Sequence, residues 1–282
     1  TQWLSPVQMQ DLMTEISGEE AAGIGAELLS VEGGWQVVDV LEESPAQMAG
    51  LAKGDLIVKI NGEPIGKADW TAEEGVTTLF SVEREGMARD VVIIPQKIEP
   101  MPAVISKTLP NGYGYIRIRS FVQEGAENQF EQAMAQFADA KGVILDVRHN
   151  PGGRMDAVLT MLNGCLPDKT EVLCLLEAKG KEERYQTSGE QRYTMPMAVL
   201  TDGQSASAAE IFAGVLQNQG RALIVGDTTY GKGVVQKLKP LKDGSGLKYT
   251  MAEYRMADGT VIHEKGVMPD IKLTCEGLPG WA

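Results

Sequence analysis

Histidine is almost missing from this chain: His149 and His263 are the only two in 282 residues. An HExxH zinc site is therefore absent, and the count argues against a histidine-rich metal cage. Cysteine is as sparse. Cys165, Cys174 and Cys275 are odd in number and form no CxxC pair, which argues against a disulfide framework and a thiolate zinc site. They read as small apolar residues, and no metal or cofactor is expected. Basic residues are in deficit, 26 against 39 acidic ones, and the formal charge of −13 argues against a phosphate backbone as partner. No nucleic acid is expected. No apolar run approaches the roughly 18 residues of a membrane-spanning helix. Thr1 follows no charged-then-apolar leader, as a cleaved signal or a trimmed chain would leave it. Internal repeats and low-complexity tracts are lacking too.

What is present falls into three stretches. Length, at about 150 residues per domain, suggests two compact units. Residues 1–21 carry one helical piece, with Met9, Leu12, Met13 and Ile16 at helical spacing behind Ser5-Pro6. That piece is too short to be a domain. Residues 22–97 alternate short β-rich runs with Gly, Pro and Asn punctuation, as a compact β-rich module does, and LFSVEREGMARDVVIIP closes it with a strand pair. The stretch KIEPMPAVISKTLPNG, with three prolines, marks the boundary, and residues 98–282 form the second unit. There YGYIRIRSF, ENQFEQAMAQFADA, GVILDV, MDAVLTMLNG, MAVLT, ASAAEIFAGVLQNQG and ALIVG alternate strand and helix. The alternation predicts an α/β layer with strands buried on both faces, followed by a tail of β-hairpins.

The stretch TDGQSASAAEIFAGVLQNQG, from Thr201, keeps two hydroxyls, Ser205 and Ser207, among the smallest side chains. Ser207 to Glu210 fits S-x-x-E, the capping box that opens a helix, and capping boxes are far commoner than nucleophiles. The setting adds a second reading. A serine at a helix N-terminus after a buried strand has its oxygen near free backbone N–H groups and the positive dipole end, where an oxyanion is stabilised. The flanking alanines then leave room for a polypeptide carbonyl.

A hydroxyl acts as a nucleophile only with a base in reach. His149 has Asp146 three residues before it, but on a strand those side chains would point to opposite faces. A triad through His149 or His263 is open but unsignalled. Lys232, in VGDTTYGKGVVQ, is the other candidate. Enclosed by apolar neighbours, its amine would lose its proton near working pH; as a solvated turn residue it would not. GVILDVRHNPGG places two glycines directly after a buried strand, where consecutive N–H groups form an anion-accepting nest or simply a turn.

Together these residues resemble the carboxyl-terminal processing proteases, serine peptidases that pair serine with lysine. The resemblance covers nearly everything from Gly23 to Leu273 and is most specific in LDVRHNPGG, SASAAEIFAG, YGKGVVQ and KGVMPDI. It implies an α/β catalytic core of the crotonase/ClpP type with a β-hairpin tail, plus a shortened β-rich PDZ-like domain. It implies Ser207 as nucleophile, Lys232 as general base at the family's spacing, and Gln236 as the residue that orients the lysine. The oxyanion hole would be the N–H groups of Gly152, Gly153 and Ala208. Arg148 and Asn150 would shape that turn, by structural hydrogen bonds or by touching substrate. Ser205 matches the block's other serine, which is not the nucleophile.

In the amino-terminal module Gly23, Ile24, Gly25 and Ala26 match the PDZ loop that caps a peptide carboxylate, with strand addition as the binding mode. Only GKADWTAEEG stands where a groove-lining helix belongs, too short for a full one, so a shortened regulator or a lid is the other reading of the module. The implied function is an endopeptidase that cleaves protein substrates near their free C-termini outside the cytoplasm, in the periplasm or cell envelope. Family leading helices support dimerisation, so a homodimer is a candidate assembly. Two other classes compete: a catalytically silent binding protein on the same architecture, and an acyl-CoA enzyme of crotonase-like shape. Retention of Ser207, Lys232 and Gln236 together favours the peptidase over both.

Overall fold

The computed structural model describes residues 1–17, 21–66, 70–98, 101–177 and 180–273. They form two compact units, one of Thr1–Ser17 with Pro102–Ala282, the other of Gly18–Met101. The helices are α1 (Pro6–Ser17), α2 (Pro45–Met48), α3 (Ala126–Ala135), α4 (Met155–Cys165) and α5 (Ala208–Asn218). The chain thus begins in the core unit, leaves it for the module and returns. Strand Gln2–Leu4 pairs antiparallel with Gly246–Met256, Leu4 opposite Gly246. The carbonyl of Ile16 in α1 accepts the N–H of Glu124 at 2.8 Å.

The core unit holds two sheets, with α5 between them. In the first, strands Val104–Thr108, Gly114–Ile118, Val143–Asp146, Met197–Thr201, Ala222–Gly226 and Ile271–Lys272 lie side by side in that order. Only the first pair is antiparallel. The second sheet is antiparallel and joins Glu171–Glu177, Glu182–Gln186, Val234–Pro240 and Gly246–Met256 to the amino-terminal strand. Helix α5 packs on strand Ala222–Gly226 of one sheet and on Gly246–Met256 of the other. Every residue from Ala208 to Leu216 is consequently buried, as expected of a helix apolar all round.

This arrangement differs from the expected strands buried on both faces. Along Gly114–Ile118 and Met197–Thr201, fully buried residues alternate with half-buried ones. Ile116, Ile118, Leu145, Val199 and Ile224 face the helices. Tyr115, Arg117, Ile144, Ala198 and Leu200 on the other face keep contact with solvent. The reason is that the residues facing α3, α4 and α5 join one hydrophobic core, so the parallel sheet receives helical cover on that side.

The module holds a five-stranded antiparallel path from Ala26–Val31 through Gly34–Val40, Leu56–Ile60 and Thr78–Arg84 to Met87–Ile93. Its core is Val37, Ile57, Ile60, Phe80, Val82 and Ile93. Asp55 is fully buried beneath it and meets Arg84 Nη2 at 2.7 Å and Arg89 at 3.5 Å. Among the described residues from Glu63 to Thr77 there is no helix. Trp70 packs there instead, edge-on to Phe80 with ring centroids 5.3 Å apart and 6.4 Å from Trp35. Aromatic packing replaces part of the apolar area that a groove helix would bury.

Candidate active site

Three neighbouring parallel strands deliver the site. Val143–Asp146 ends in the Asn150-Pro151-Gly152-Gly153 turn, Met197–Thr201 in the turn that opens α5, and Ala222–Gly226 in the loop carrying Lys232. Ligand sites in open α/β sheets form at such carboxyl edges, because consecutive loops emerge there side by side. Ser207, Ala208, Gly152, Gly153, Lys232 and Gln236 all line one cleft of about 500 Å³. Neither histidine does.

Ser207 is half-buried and strained. It caps α5 with φ 55° and ψ −114°, a conformation that L-residues rarely adopt and that costs of order 1–3 kcal/mol. Four contacts hold it. Its N–H donates to Glu210 Oε2 at 2.7 Å, the glutamate part of the expected capping box. Its carbonyl accepts the N–H groups of Glu210 and Ile211 at 2.9 and 3.0 Å, and the Tyr254 hydroxyl at 3.1 Å.

Glu210 does more than cap. Its carboxylate is fully buried and accepts three further bonds, from the Thr229 hydroxyl at 2.6 Å and the N–H groups of Gly231 at 2.7 Å and Lys232 at 2.8 Å. One carboxylate therefore fixes the backbone of both the serine and the lysine. Tyr254 repeats the bridge from the other side, since its buried hydroxyl also reaches the Lys232 carbonyl at 2.9 Å. Burial holds the Lys232 ammonium below the usual lysine range; the positive charge of Lys248 adds to the effect and Glu210 opposes it. Glycine flanks the lysine because the loop runs against the tail: a Cβ on Gly233 would meet the His263 nitrogen at 2.4 Å.

The glycine turn meets the serine just as closely. Gly152 has φ +101°, and a Cβ there would meet the Ala206 carbonyl oxygen at 2.7 Å and Ser207 Cβ at 2.9 Å. Asn150, fully buried, organises the turn. Its amide donates to the Ile118 carbonyl at 2.8 Å, its Oδ1 accepts the Gly152 N–H at 2.8 Å, and its backbone carbonyl accepts the Ala206 N–H at 2.9 Å. The expected oxyanion hole is thereby corrected at one position, because the Gly152 N–H is already spent on Asn150. Gly153 and Ala208 keep N–H groups that donate to no acceptor among the described residues.

The other expected residues are placed as follows. Ser205 is fully buried and donates to the Val147 carbonyl at 2.8 Å, so it fastens one turn to the other. Arg148 chelates Asp146 with contacts of 2.9 and 2.6 Å and lies outside the cleft. His149 Nδ1 lies 2.8 Å from Asp202, not beside Asp146. Gln236 is an exposed cleft residue opposite Thr250. In the module, Gly23 pairs with Gln96. The Ile24 and Gly25 carbonyls accept from Ala46 and Leu41, each at 2.8 Å, while their N–H groups have no acceptor among the described residues. Ala26 begins the first long strand.

Comparison with known proteins points the same way as the geometry. A model described as peptidase family S41 matches residues 112–273, and a PDZ domain model matches residues 36–74. The carboxy-terminal processing protease CtpA of Bacillus subtilis is 33% identical over 268 residues, 92% of this chain and 57% of that protein. CtpB of the same organism is 33% identical over 264 residues, covering 89% of this chain and 55% of that one. The chain thus spans a little more than half the length of these relatives. The solved structure of a photosystem II D1 C-terminal processing protease superposes with a TM-score of 0.70 at 27% identity, covering 99% of this chain and 79% of that one. With relatives this similar over nearly its whole length, the chain belongs to peptidase family S41 and carries a PDZ domain.

Proposed function

We propose that the chain is a serine endopeptidase of the carboxy-terminal processing type, with Ser207 as nucleophile and Lys232 as general base. The observation that carries this reading is the bridging by Glu210 and Tyr254, which join the strained serine and a partly desolvated lysine in one cleft. The neutral Lys232 amine takes the Ser207 proton while Oγ attacks the scissile carbonyl carbon. The oxyanion is held by the N–H groups of Gly153 and Ala208, each worth about 3 kcal/mol in comparable sites. The Lys232 ammonium then protonates the leaving amine as the C–N bond breaks. A water that gives its proton to Lys232 hydrolyses the acyl-enzyme and returns Ser207 to its hydroxyl form. Gln236, on the cleft wall, orients the lysine.

Protein chain ends are the proposed substrates, with Gly23 to Ala26 as the carboxylate loop, supported by the unengaged N–H groups of Ile24 and Gly25. An extracytoplasmic site of action and a homodimer belong to the same proposal and rest on the resemblance to the family.

Labelling with a fluorophosphonate, read by mass spectrometry, tests the nucleophile. Ser207 is expected to carry the label and Ser207→Ala to abolish both labelling and turnover, whereas Ser205→Ala retains most of both. The reverse pattern overturns the assignment. Because the free amine is the base, kcat/KM is expected to rise as pH passes up through the lowered lysine pKa. A flat profile from about pH 5 to about pH 9 would exclude Lys232.

A further inference from the structure

The cleft inverts the charge of the molecule. The chain carries 39 acidic and 26 basic residues, yet Lys232, Lys248 and Arg154 line the cleft and, among the described residues, no aspartate or glutamate does. Arg154 is already committed to Asp156 at 2.6 Å and Glu127 at 3.7 Å. Lys232 has to be neutral to act as base. That leaves Lys248, half-buried and without an ion pair to any described residue.

Its position follows from the second sheet. Lys248 lies opposite Leu238, while Gln236 lies opposite Thr250, two positions further along. Residues two apart on a strand share a face, so Lys248 stands diagonally across from Gln236 on the wall that meets the catalytic pair. Apolar Val122, Ile211, Val234 and Val235 line the same space. Closing it over a neutral peptide would strip water from an ammonium and return nothing, whereas a carboxylate would restore a charge-assisted hydrogen bond.

We propose that Lys248 is the specificity-determining residue of the cleft and binds a carboxylate of the polypeptide next to the scissile bond. The substrate segment is apolar with one negative group, supplied by an aspartate or glutamate side chain or by the chain's own C-terminus. The proposal rests on the peptidase reading for the location of the scissile bond. It also couples recognition to chemistry. Lys248 and Glu210 are the charged groups whose fields reach the Lys232 amine, so a carboxylate that neutralises Lys248 removes part of the repulsion on the base.

The test uses the whole chain as Ser207→Ala, so that binding is read without turnover. Fluorescence anisotropy compares three labelled apolar hexapeptides: one with a glutamate and an amidated end, one with a free C-terminal acid and no acidic side chain, and one neutral throughout. At least one carboxylate peptide is expected to bind about tenfold tighter than the neutral one, with an advantage that shrinks at high salt. Adding Lys248→Met is expected to remove that advantage and Lys248→Arg to keep it; the peptide affected identifies the source of the carboxylate. In the otherwise unmodified chain, Lys248→Met is expected to shift the acid limb of the neutral-peptide pH profile to higher pH, which a merely structural lysine would not do.

An advantage that survives Lys248→Met, as capture by the PDZ loop would give, overturns the proposal. So does equal binding of all three peptides, or no binding by a variant with unchanged Tm. Binding through Lys248 in a chain that hydrolyses no peptide would sink the peptidase reading alone. Ser207-dependent turnover without carboxylate preference would sink this proposal alone.

Discussion

Asp55 in the module and Glu210 in the core unit are both completely buried, and the two are treated in opposite ways. In the module, Asp55 is surrounded by cations. Burial by itself would push its pKa up, but Arg84, the Ala52 N–H and Arg89 together hold it below the usual carboxylate range. In the core unit, Glu210 is met only by neutral donors, three N–H groups and a hydroxyl. An ion pair is a good fastener for a scaffold, since it resists removal of either partner. The same pairing beside Lys232 would hold its ammonium protonated. By satisfying Glu210 with backbone dipoles, the core unit fixes where the lysine loop sits, and burial and Lys248, which favour the free amine, outweigh the opposing field of Glu210.

The contrast can be broken first at Glu210. Glu210→Gln keeps the volume but turns one acceptor into a donor facing N–H or O–H groups. A buried mismatch of that kind costs about 1–3 kcal/mol. It falls on the loops that carry both reactive side chains, so kcat/KM is expected to drop by about a hundredfold while far-UV circular dichroism stays the same. An effect below about threefold would show that the two loops hold their places without the carboxylate.

Asp55→Asn should do the reverse. Its arginine partners are partly exposed, with 37% and 36% of their side-chain surface open, so they can turn to water. The loss is expected to be about 1–3 kcal/mol of module stability, with turnover of short peptides intact. The sign with pH is fixed by the depressed carboxyl. Its stabilisation is present above about pH 4 and disappears as pH falls through the lowered folded-state value. Acid unfolding monitored by tryptophan fluorescence should therefore lose part of its pH dependence in the variant.

The smallest expected effect is at Tyr254. Tyr254→Phe keeps the ring and removes one donor shared by two carbonyls, of which that of Ser207 keeps the N–H groups of Glu210 and Ile211, so about 0.5–1.5 kcal/mol is at stake. A two- to tenfold fall in kcat with KM unchanged is expected. A larger loss would make the tyrosine an equal partner of Glu210 in holding the pair.

Much of this is legible in the sequence. The alternation from Tyr113 to Gly226, the glycine turn after GVILDV and the S-x-x-E cap are local patterns, and each marks an element found in place. The second bond set of Glu210 was not legible, because it reaches residues 19 to 22 positions away through a loop of no fixed periodicity. Tyr254 and Lys248 were hidden for the same reason: they sit on a late strand whose partners are set by sheet pairing. Strand Glu171–Glu177 carries two charged ends around an apolar middle and joins a sheet assembled from distant segments, so nothing in its own run marks it. The one expected donor that failed, Gly152, failed because an asparagine two residues earlier competes for it.

The pairing of Gln2–Leu4 with Gly246–Met256 has a temporal meaning during synthesis. The first strand leaves the ribosome long before its partner exists, so it must wait unpaired while the PDZ module, whose strands pair within Gly18–Met101, can already fold. The stretch of Gly246–Met256 that carries Lys248 lies between this strand and Val234–Pro240, so that part of the second sheet is among the last to close.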